Sequence, residues 1–164
     1  MNSKLNLIVT GTPGVGKTTL AKLMAKKLKM KVFNEKDFAL KNEIGYFNEE
    51  NELEIPLKEF EKKANSFLLK SKGIILEGHT LCEMKLKVNK VFLITLHPEV
   101  LELRLEKRNY PAEKMMDNVF CEGIDYCKKK VHRNYSKNKI IEVPSRHRLS
   151  ETLADALKKL GKTV

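Results

Sequence analysis

The residues with the clearest chemical meaning form a glycine-rich segment near the amino terminus, GTPGVGKTT at positions 11–19. It follows a run of Leu, Ile and Val and opens a helical pattern, which is where the spacing G-x-x-x-x-G-K-[ST] binds phosphate. Glycines let backbone N–H groups curl around phosphate oxygens, and the helix N-terminus adds its positive end. The segment predicts a nucleoside triphosphate site built from Gly11, Gly14, Val15, Gly16, Lys17, Thr18 and Thr19.

Two side chains of this segment would act on the triphosphate directly. Lys17 would reach the β- and γ-phosphates, and the Thr18 hydroxyl would take one position on a Mg²⁺ cofactor. No N-K-x-D guanine motif follows, and 164 residues are too few for most GTPases and motor ATPases. The motif therefore leaves a small P-loop kinase or a compact ATPase.

A second group of chemical residues ends the apolar run IILEGHT at positions 74–80. Glu77 could hold the metal through water, activate a nucleophile or cap the next helix, and its place at a strand end favours the metal. Gly78 would let the backbone turn close to the phosphates. His79 would lie near the γ-phosphate, where it could orient a water, contact the acceptor or be an incidental loop residue.

Arginines further along the chain are candidates for closing the site. Arg104 and Arg108 lie four residues apart on one helical face. A mobile lid at about Lys107–Asp117 would bring arginines, Arg108 above all, to stabilise charge on the transferring phosphoryl. The alternative, a solvated surface residue, suits Arg104 better than Arg108. In the segment EVPSRHR, Arg146 or His147 is placed to stack on the adenine.

Strand and helix patterns alternate along the whole chain. This alternation predicts an α/β fold of the P-loop type, one domain over 1–164 with five parallel strands flanked by helices. The predicted strands are Leu5–Thr10, Lys31–Phe33, Ile74–Leu76, Val91–Leu96 and Ile140–Val143. The predicted helices are Thr18–Leu28, Glu35–Asn42, Leu57–Lys70, Pro98–Arg108, a long one over Ala112–Tyr135, and Ser150–Leu160.

Charge is unevenly distributed in this chain. The net charge is +11, yet Asn34–Pro56 carries seven acids against two lysines. Such an acidic segment could dock the basic tail of a partner protein or be a solvated loop, and the basic remainder suits nucleotides or RNA. Three cysteines without C-x-x-C spacing, and no apolar run long enough for a membrane span, lead us to expect a cytoplasmic protein.

Over nearly the whole chain, the sequence resembles the adenylate kinase isoenzyme six family, archaeal and nuclear adenylate kinases and ATPases linked to small ribosomal subunit maturation. The resemblance rests on GTPGVGKTTL, on EGH after a core strand, and on the Tyr110–Glu122 run within RNYPAEKMMDNVFCE. It implies a nucleoside monophosphate kinase fold that converts ATP and AMP to two ADP and also hydrolyses ATP. It further implies a small-subunit ribosomal protein as partner, and contact with pre-ribosomal RNA is a further expectation.

The resemblance also assigns residues. The acceptor region would be about 34–57, with Asn34, Asp37 and Lys41 at the monophosphate, and Arg108 would bind ATP. Many relatives have aspartate where this chain has Glu77, and Leu40 stands where an arginine is expected. Because a lysine cannot reproduce the bidentate arginine clamp on phosphate, we expect adenylate kinase activity to be weak.

Three functional hypotheses remain open at this stage. The first is an ATP:AMP phosphotransferase with side ATPase activity that serves ribosome assembly. The second is a nucleotide-switched assembly factor whose kinase activity is vestigial, with a lid and acidic segment that respond to the nucleotide. The third is a P-loop kinase for another small acceptor. The sequence does not decide whether His79 serves water or the acceptor.

Overall fold

The computed structural model describes residues 4–163, in which a central sheet carries helices on both faces. The strands are β1 (Asn6–Thr10), β2 (Lys31–Asn34), β3 (Tyr46–Phe47), β4 (Leu53–Glu54), β5 (Ile74–Glu77), β6 (Lys90–Thr95) and β7 (Ile140–Pro144). The helices are α1 (Lys17–Leu28), α2 (Glu35–Lys41), α3 (Leu57–Lys70), α4 (Pro98–Lys107), α5 (Ala112–Gly123), α6 (Tyr126–Asn134) and α7 (Leu149–Thr163). Within residues 4–163, none of the helices is long and apolar enough to cross a membrane.

The main sheet has five parallel strands in the order β2-β5-β1-β6-β7. This confirms the predicted fold class, and each of the five predicted strands lies within one residue of its observed bounds. Because all five strands run the same way, their carboxyl ends meet at one edge of the sheet. Val9 is in register with Glu77, and Glu77 with Asn34. The sheet therefore brings the ends of β1, β5 and β2 together, and the candidate site forms there.

Alternate residues of each strand pack on opposite faces of the sheet. On β1, Leu7 and Val9 join the core under α1, α4 and α7, whereas Ile8 joins the core under α2, α3 and α6. All three side chains are fully buried. The near-continuous apolar runs seen in the sequence follow from this burial on both sides.

The predicted long helix over Ala112–Tyr135 is wrong, because the chain forms two helices there. α5 ends at Gly123, and Asp125 has a left-handed backbone with φ 57° before α6 begins. Glycine is a poor helix former, and aspartate tolerates the left-handed region better than most residues. The break lets α5 contact α4 beside the site, while α6 buries Val131 and Tyr135 in the other core.

The acidic segment contains a small antiparallel hairpin that the sequence did not predict. Tyr46 pairs with Glu54 and Phe47 with Leu53. Asn48 organises its turn, since its side-chain oxygen accepts from the backbone N–H groups of residues 50 and 52 at 3.0 and 2.9 Å. The hairpin is too short to show the alternation that identifies a strand, and both aromatic side chains are exposed.

Candidate active site

The phosphate loop joins the end of β1 to the start of α1, as the motif predicts. Gly14 and Gly16 have φ values of 97° and 101°, a region that side chains with a Cβ rarely adopt. Val15 between them is fully buried, and its backbone N–H donates to the Thr12 carbonyl at 3.3 Å. The loop is thus fixed in shape by its own backbone and by the core beneath it.

Lys17 is buried at the amino end of α1, and its ammonium group donates to the Thr12 carbonyl at 3.4 Å. Burial lowers the pKa of this ammonium, while the charges of Glu35 and Glu77 act in the opposite direction. Two carboxylates therefore lie close enough to influence this lysine. Only Glu77 was predicted to be part of the site.

Glu77 connects the phosphate loop to the end of β2. Its Oε1 accepts from the Thr18 hydroxyl at 3.0 Å and from the Asn34 amide at 2.6 Å. Its Oε2 is buried and has no hydrogen-bond partner among the residues described by the structure. A buried carboxylate oxygen without a donor is costly, so this atom is available to a cation or to a cation's water. Thr18 and Glu77 lie together, as the predicted metal assignment requires.

Glu35 is the principal site residue that the sequence reasoning missed. It is the first residue of α2, it is 2% exposed, and its carboxylate lies 3.1 Å from Nδ1 of His79. The carboxylate also accepts from the backbone N–H groups of His79 and Thr80, at 3.2 and 3.1 Å, and from the Thr80 hydroxyl. Burial alone would raise the pKa of the Glu35 carboxyl, but the His79 side chain, the Thr80 hydroxyl and the charge of Lys17 bring it below its usual value.

Gly78 also has a role that the sequence did not indicate. A Cβ at this position would lie 2.2 Å from Cδ of Glu35, which is far inside van der Waals contact. The glycine therefore leaves the space in which the Glu35 carboxylate approaches the backbone, and its predicted turn towards the phosphates stays a prediction. The signal available in the sequence was the position of Glu35 directly after β2, at the same sheet edge as Glu77.

Residues 108–118 and residues of the acidic segment complete a cavity of about 570 Å³ around these groups. The first of these segments contributes Arg108, Tyr110, Lys114, Asp117 and Asn118. Lys114 of α5 forms an ion pair with Glu52 of the hairpin, so α5 and the hairpin touch across the cavity. Asn34 lines the cavity, whereas Asp37 and Lys41 are exposed and do not, so their acceptor role stays a prediction.

Arg104, which was expected to be a surface residue, makes two hydrogen bonds inside the protein. Its guanidinium donates to the Val15 carbonyl and to the Ser145 hydroxyl, both at 3.3 Å. This ties the phosphate loop to the segment after β7, where Arg146 and His147 line a cavity of about 800 Å³. A smaller cavity of about 150 Å³ joins Thr19 and Arg108 to the same two residues.

A third buried acid, Glu122 of α5, links this helix to the phosphate loop. One oxygen accepts from the Thr12 hydroxyl at 3.4 Å and the other from the Leu96 backbone N–H at 3.1 Å. Burial raises the pKa of the Glu122 carboxyl, and these two hydrogen bonds offset only part of the effect. Residues 4–163 contain no group of three or more His, Cys, Asp or Glu placed to hold a metal by themselves.

The parallel sheet, the phosphate loop and Glu77 at the end of β5 define a P-loop fold of the nucleoside monophosphate kinase type. In the solved structures, a gluconokinase from Sinorhizobium meliloti superposes with a TM-score of 0.65 at 12% identity, covering 99% of this chain and 94% of that one. A shikimate kinase from Bacteroides thetaiotaomicron superposes with a TM-score of 0.61 at 19% identity, covering 96% and 98%. These similarities concern the fold alone.

Sequence relatives identify the family. A family model described as "AAA domain" matches residues 7–125. A Thermococcus kodakarensis protein named "Putative adenylate kinase" is 40% identical over 73% of this chain and 65% of its own length. A Methanocaldococcus jannaschii protein of the same name is 30% identical over 93% of this chain and 84% of its own. The chain belongs to the family of these archaeal proteins, and it spans slightly less than two thirds of the Thermococcus relative.

Proposed function

We propose that this protein is an ATP-dependent phosphotransferase that converts ATP and AMP to two ADP and hydrolyses ATP as a side reaction. The observation that carries the proposal is one cavity shared by Lys17, Thr18 and Glu77 with the acceptor region and with Arg108 of the lid. The name of the archaeal relatives supports a nucleoside monophosphate as acceptor. We further propose that it acts in the cytoplasm.

Each side chain of the site has a distinct role in this proposal. Lys17 holds the β- and γ-phosphates and neutralises charge on the leaving ADP. Arg108, from the lid, stabilises charge on the transferring phosphoryl group. Arg104 keeps the phosphate loop in register with Arg146 and His147, which border the space for the adenine. Closure of the lid over the hairpin excludes water and commits the triphosphate to transfer.

Mg²⁺ is the proposed cofactor, and the residues present fit it. Thr18 and Glu77 would hold it, partly through water, because the two side chains are in contact and Glu77 Oε2 is buried without a donor. When bound, the ion would supply positive charge that offsets the charge developing on the phosphates. Hard oxygen ligands, few from protein and the rest from phosphate and water, are the set that Mg²⁺ prefers.

The composition of the acceptor region is the main reason to expect slow phosphoryl transfer. The chain has five arginines, and none lies in the acceptor region at 34–57. A monophosphate there would meet Lys36, which lines the cavity, instead of a bidentate guanidinium. A small acceptor other than AMP therefore remains a second candidate.

A role in small ribosomal subunit maturation is the broader part of the proposal. Its support is the family resemblance together with the exposed hairpin, which presents Tyr46 and Phe47 beside exposed acids. Glu35 does not contribute to this acidic surface because it is buried. A basic tail of a small-subunit ribosomal protein would complement the surface, and the basic remainder of the chain suits pre-ribosomal RNA. In an alternative form of this proposal, the bound nucleotide controls the affinity for the partner, and the kinase activity is vestigial.

One assay tests the enzymatic proposal. Purified protein is incubated with ATP and Mg²⁺, with and without each nucleoside monophosphate, and ADP and phosphate are both measured. AMP-dependent ADP without matching phosphate supports the kinase, whereas phosphate release that ignores AMP supports the switched ATPase. Lys17→Met is the inactive control, and a wild type that matches it refutes both.

A pulldown tests the proposed protein partner. The Glu49, Glu50, Glu52 and Glu54 to Gln variant is compared with wild type for capture of a basic small-subunit ribosomal protein. We expect weaker binding by the variant, with the difference shrinking as salt increases, because exposed charges are screened. Equal capture of both proteins at low salt would contradict docking on the hairpin.

A further inference from the structure

Glu35 and His79 form a pair that the proposed phosphate and metal contacts leave unexplained. The carboxylate is buried, lies 3.1 Å from His79 Nδ1 and is also fixed by backbone N–H donors from residues 79 and 80. The imidazole is 44% exposed and lines the 570 Å³ cavity that contains Lys17 and Thr18. A buried acid behind a half-exposed histidine is the arrangement by which carboxylates orient catalytic imidazoles.

We propose that Glu35 is a positioning residue that keeps the proton of His79 on Nδ1 and leaves Nε2 as the hydrogen-bond acceptor facing the nucleophile. An ionised carboxylate can only accept hydrogen bonds, so the ring nitrogen next to it must donate. Among the residues described by the structure, Nε2 has no hydrogen-bond partner. In the neutral ring, the geometry thereby selects one tautomer.

The backbone around the pair is shaped for this carboxylate. Gly78 leaves the space that Cδ of Glu35 requires, because any Cβ there would lie 2.2 Å from it. The Gly78 N–H donates to the Val9 carbonyl, and the Gly78 carbonyl accepts from the Thr10 hydroxyl at 2.8 Å. Both contacts hold the turn against β1, so the Glu35 side chain has a fixed place beside the turn.

The orientation of the imidazole affects which class of nucleophile the site can assist. This part of the inference rests on the proposed function. In hydrolysis, a water oxygen forms the new bond to the γ-phosphorus while the bond to the bridging oxygen breaks and its electron pair leaves with ADP. The water proton passes to His79 Nε2 and then to solvent. A phosphate acceptor such as that of AMP has its second pKa near about 6 and is largely deprotonated at neutral pH. The pair therefore assists a water or hydroxyl nucleophile far more than a phosphate oxygen.

Glu35→Gln tests the inference while keeping the shape of the side chain. We expect phosphate release from ATP to fall about 100-fold, which is the ordinary contribution of a positioned base. AMP-dependent ADP formation should fall less than about tenfold. The Glu35→Gln, His79→Ala double variant should hydrolyse ATP no more slowly than His79→Ala alone, because the two residues act as a unit. Glu83→Gln, an acid close in sequence that contacts Tyr126 instead, is the matched control.

Two further measurements test the inference even if the Glu35→Gln variant does not fold. Gly78→Ala should reproduce the selective loss of hydrolysis, because the added methyl group displaces Glu35. Nitrogen chemical shifts of the His79 ring in its neutral form should show a protonated Nδ1 and an unprotonated Nε2 in wild-type protein. A proton on Nε2, additive losses in the double variant, or equal losses of both reactions in Glu35→Gln would overturn the proposal. A wild type without either activity would refute the proposed function instead, and the ring shifts would still decide the role of Glu35.

Discussion

Replacing Glu77 by Gln should change the stability of the free protein little and its stabilisation by Mg²⁺ and ATP much more. The amide oxygen can still accept from Thr18 and Asn34, as Glu77 Oε1 does at 3.0 and 2.6 Å. The new NH₂ group takes the place of the buried, unpartnered Oε2. An unpaired buried donor costs about 1–3 kcal/mol, but removing a buried charge offsets that cost. We therefore expect the free energy of unfolding without nucleotide to change by no more than about 1–2 kcal/mol.

The response to ligand should change much more. At a concentration of Mg²⁺·ATP of about 100 times its Kd, binding stabilises the wild type by about 2.7 kcal/mol. For a chain of this size that corresponds to about 5–11 °C in Tm. If the amide weakens Mg²⁺·ATP tenfold, the stabilisation at the same concentration falls to about 1.4 kcal/mol, or about 3–6 °C.

Thermal unfolding with ATP and either Mg²⁺ or a chelator measures this difference. With chelator, wild type and Glu77→Gln should gain the same stability from ATP, because Lys17 and the loop backbone are intact. Glu61→Gln is the matched control, since that carboxylate accepts from the Lys85 backbone N–H away from the cavity. An unchanged Mg²⁺-dependent shift in Glu77→Gln would refute the metal role and leave Glu77 as a structural contact.

Three further predictions concern the lid and the loop. Arg104→Met should raise the KM for ATP at least about fivefold while changing kcat less, because two hydrogen bonds that align the loop are lost; an unchanged KM in steady-state kinetics would contradict this. Glu122→Gln should gain stability relative to wild type as pH rises above the unfolded-state pKa of glutamate, because burial raises the folded-state pKa and stability is lost as that group ionises; a pH-independent difference in urea unfolding would contradict this. Lys114→Glu should lower kcat/KM about two- to fivefold by repelling Glu52, and the Lys114→Glu, Glu52→Lys double variant should recover it. Equal kcat/KM values for the single and the double variant would exclude a role of this ion pair in closure.

The sequence predicted the parallel sheet and the phosphate loop because both depend on local patterns. Buried strands are apolar throughout, and the glycine spacing of the loop is required by backbone geometry that other residues cannot adopt. The placement of Glu77 beside Thr18 also followed, because a strand end in a parallel sheet has a known edge. These inferences needed no knowledge of which distant residues meet.

The features that the sequence did not predict depend mostly on contacts between segments distant in sequence. Glu35 was counted with the exposed acids, and its burial depends on the close approach allowed by Gly78, 43 positions later. Arg104 was expected on the surface because its partners, Val15 and Ser145, come from two other parts of the chain. The break after Gly123 was missed because an apolar periodicity continues through it.

The central claim is that this site transfers the γ-phosphoryl group of ATP, and label transfer tests it most directly. The protein is incubated with γ-labelled ATP, Mg²⁺ and AMP, and the label is followed into ADP and into phosphate. We expect slow appearance of label in ADP that depends on AMP, a smaller share in phosphate, and neither with Lys17→Met. Label that remains in ATP with the wild type, at the level of Lys17→Met, would contradict it.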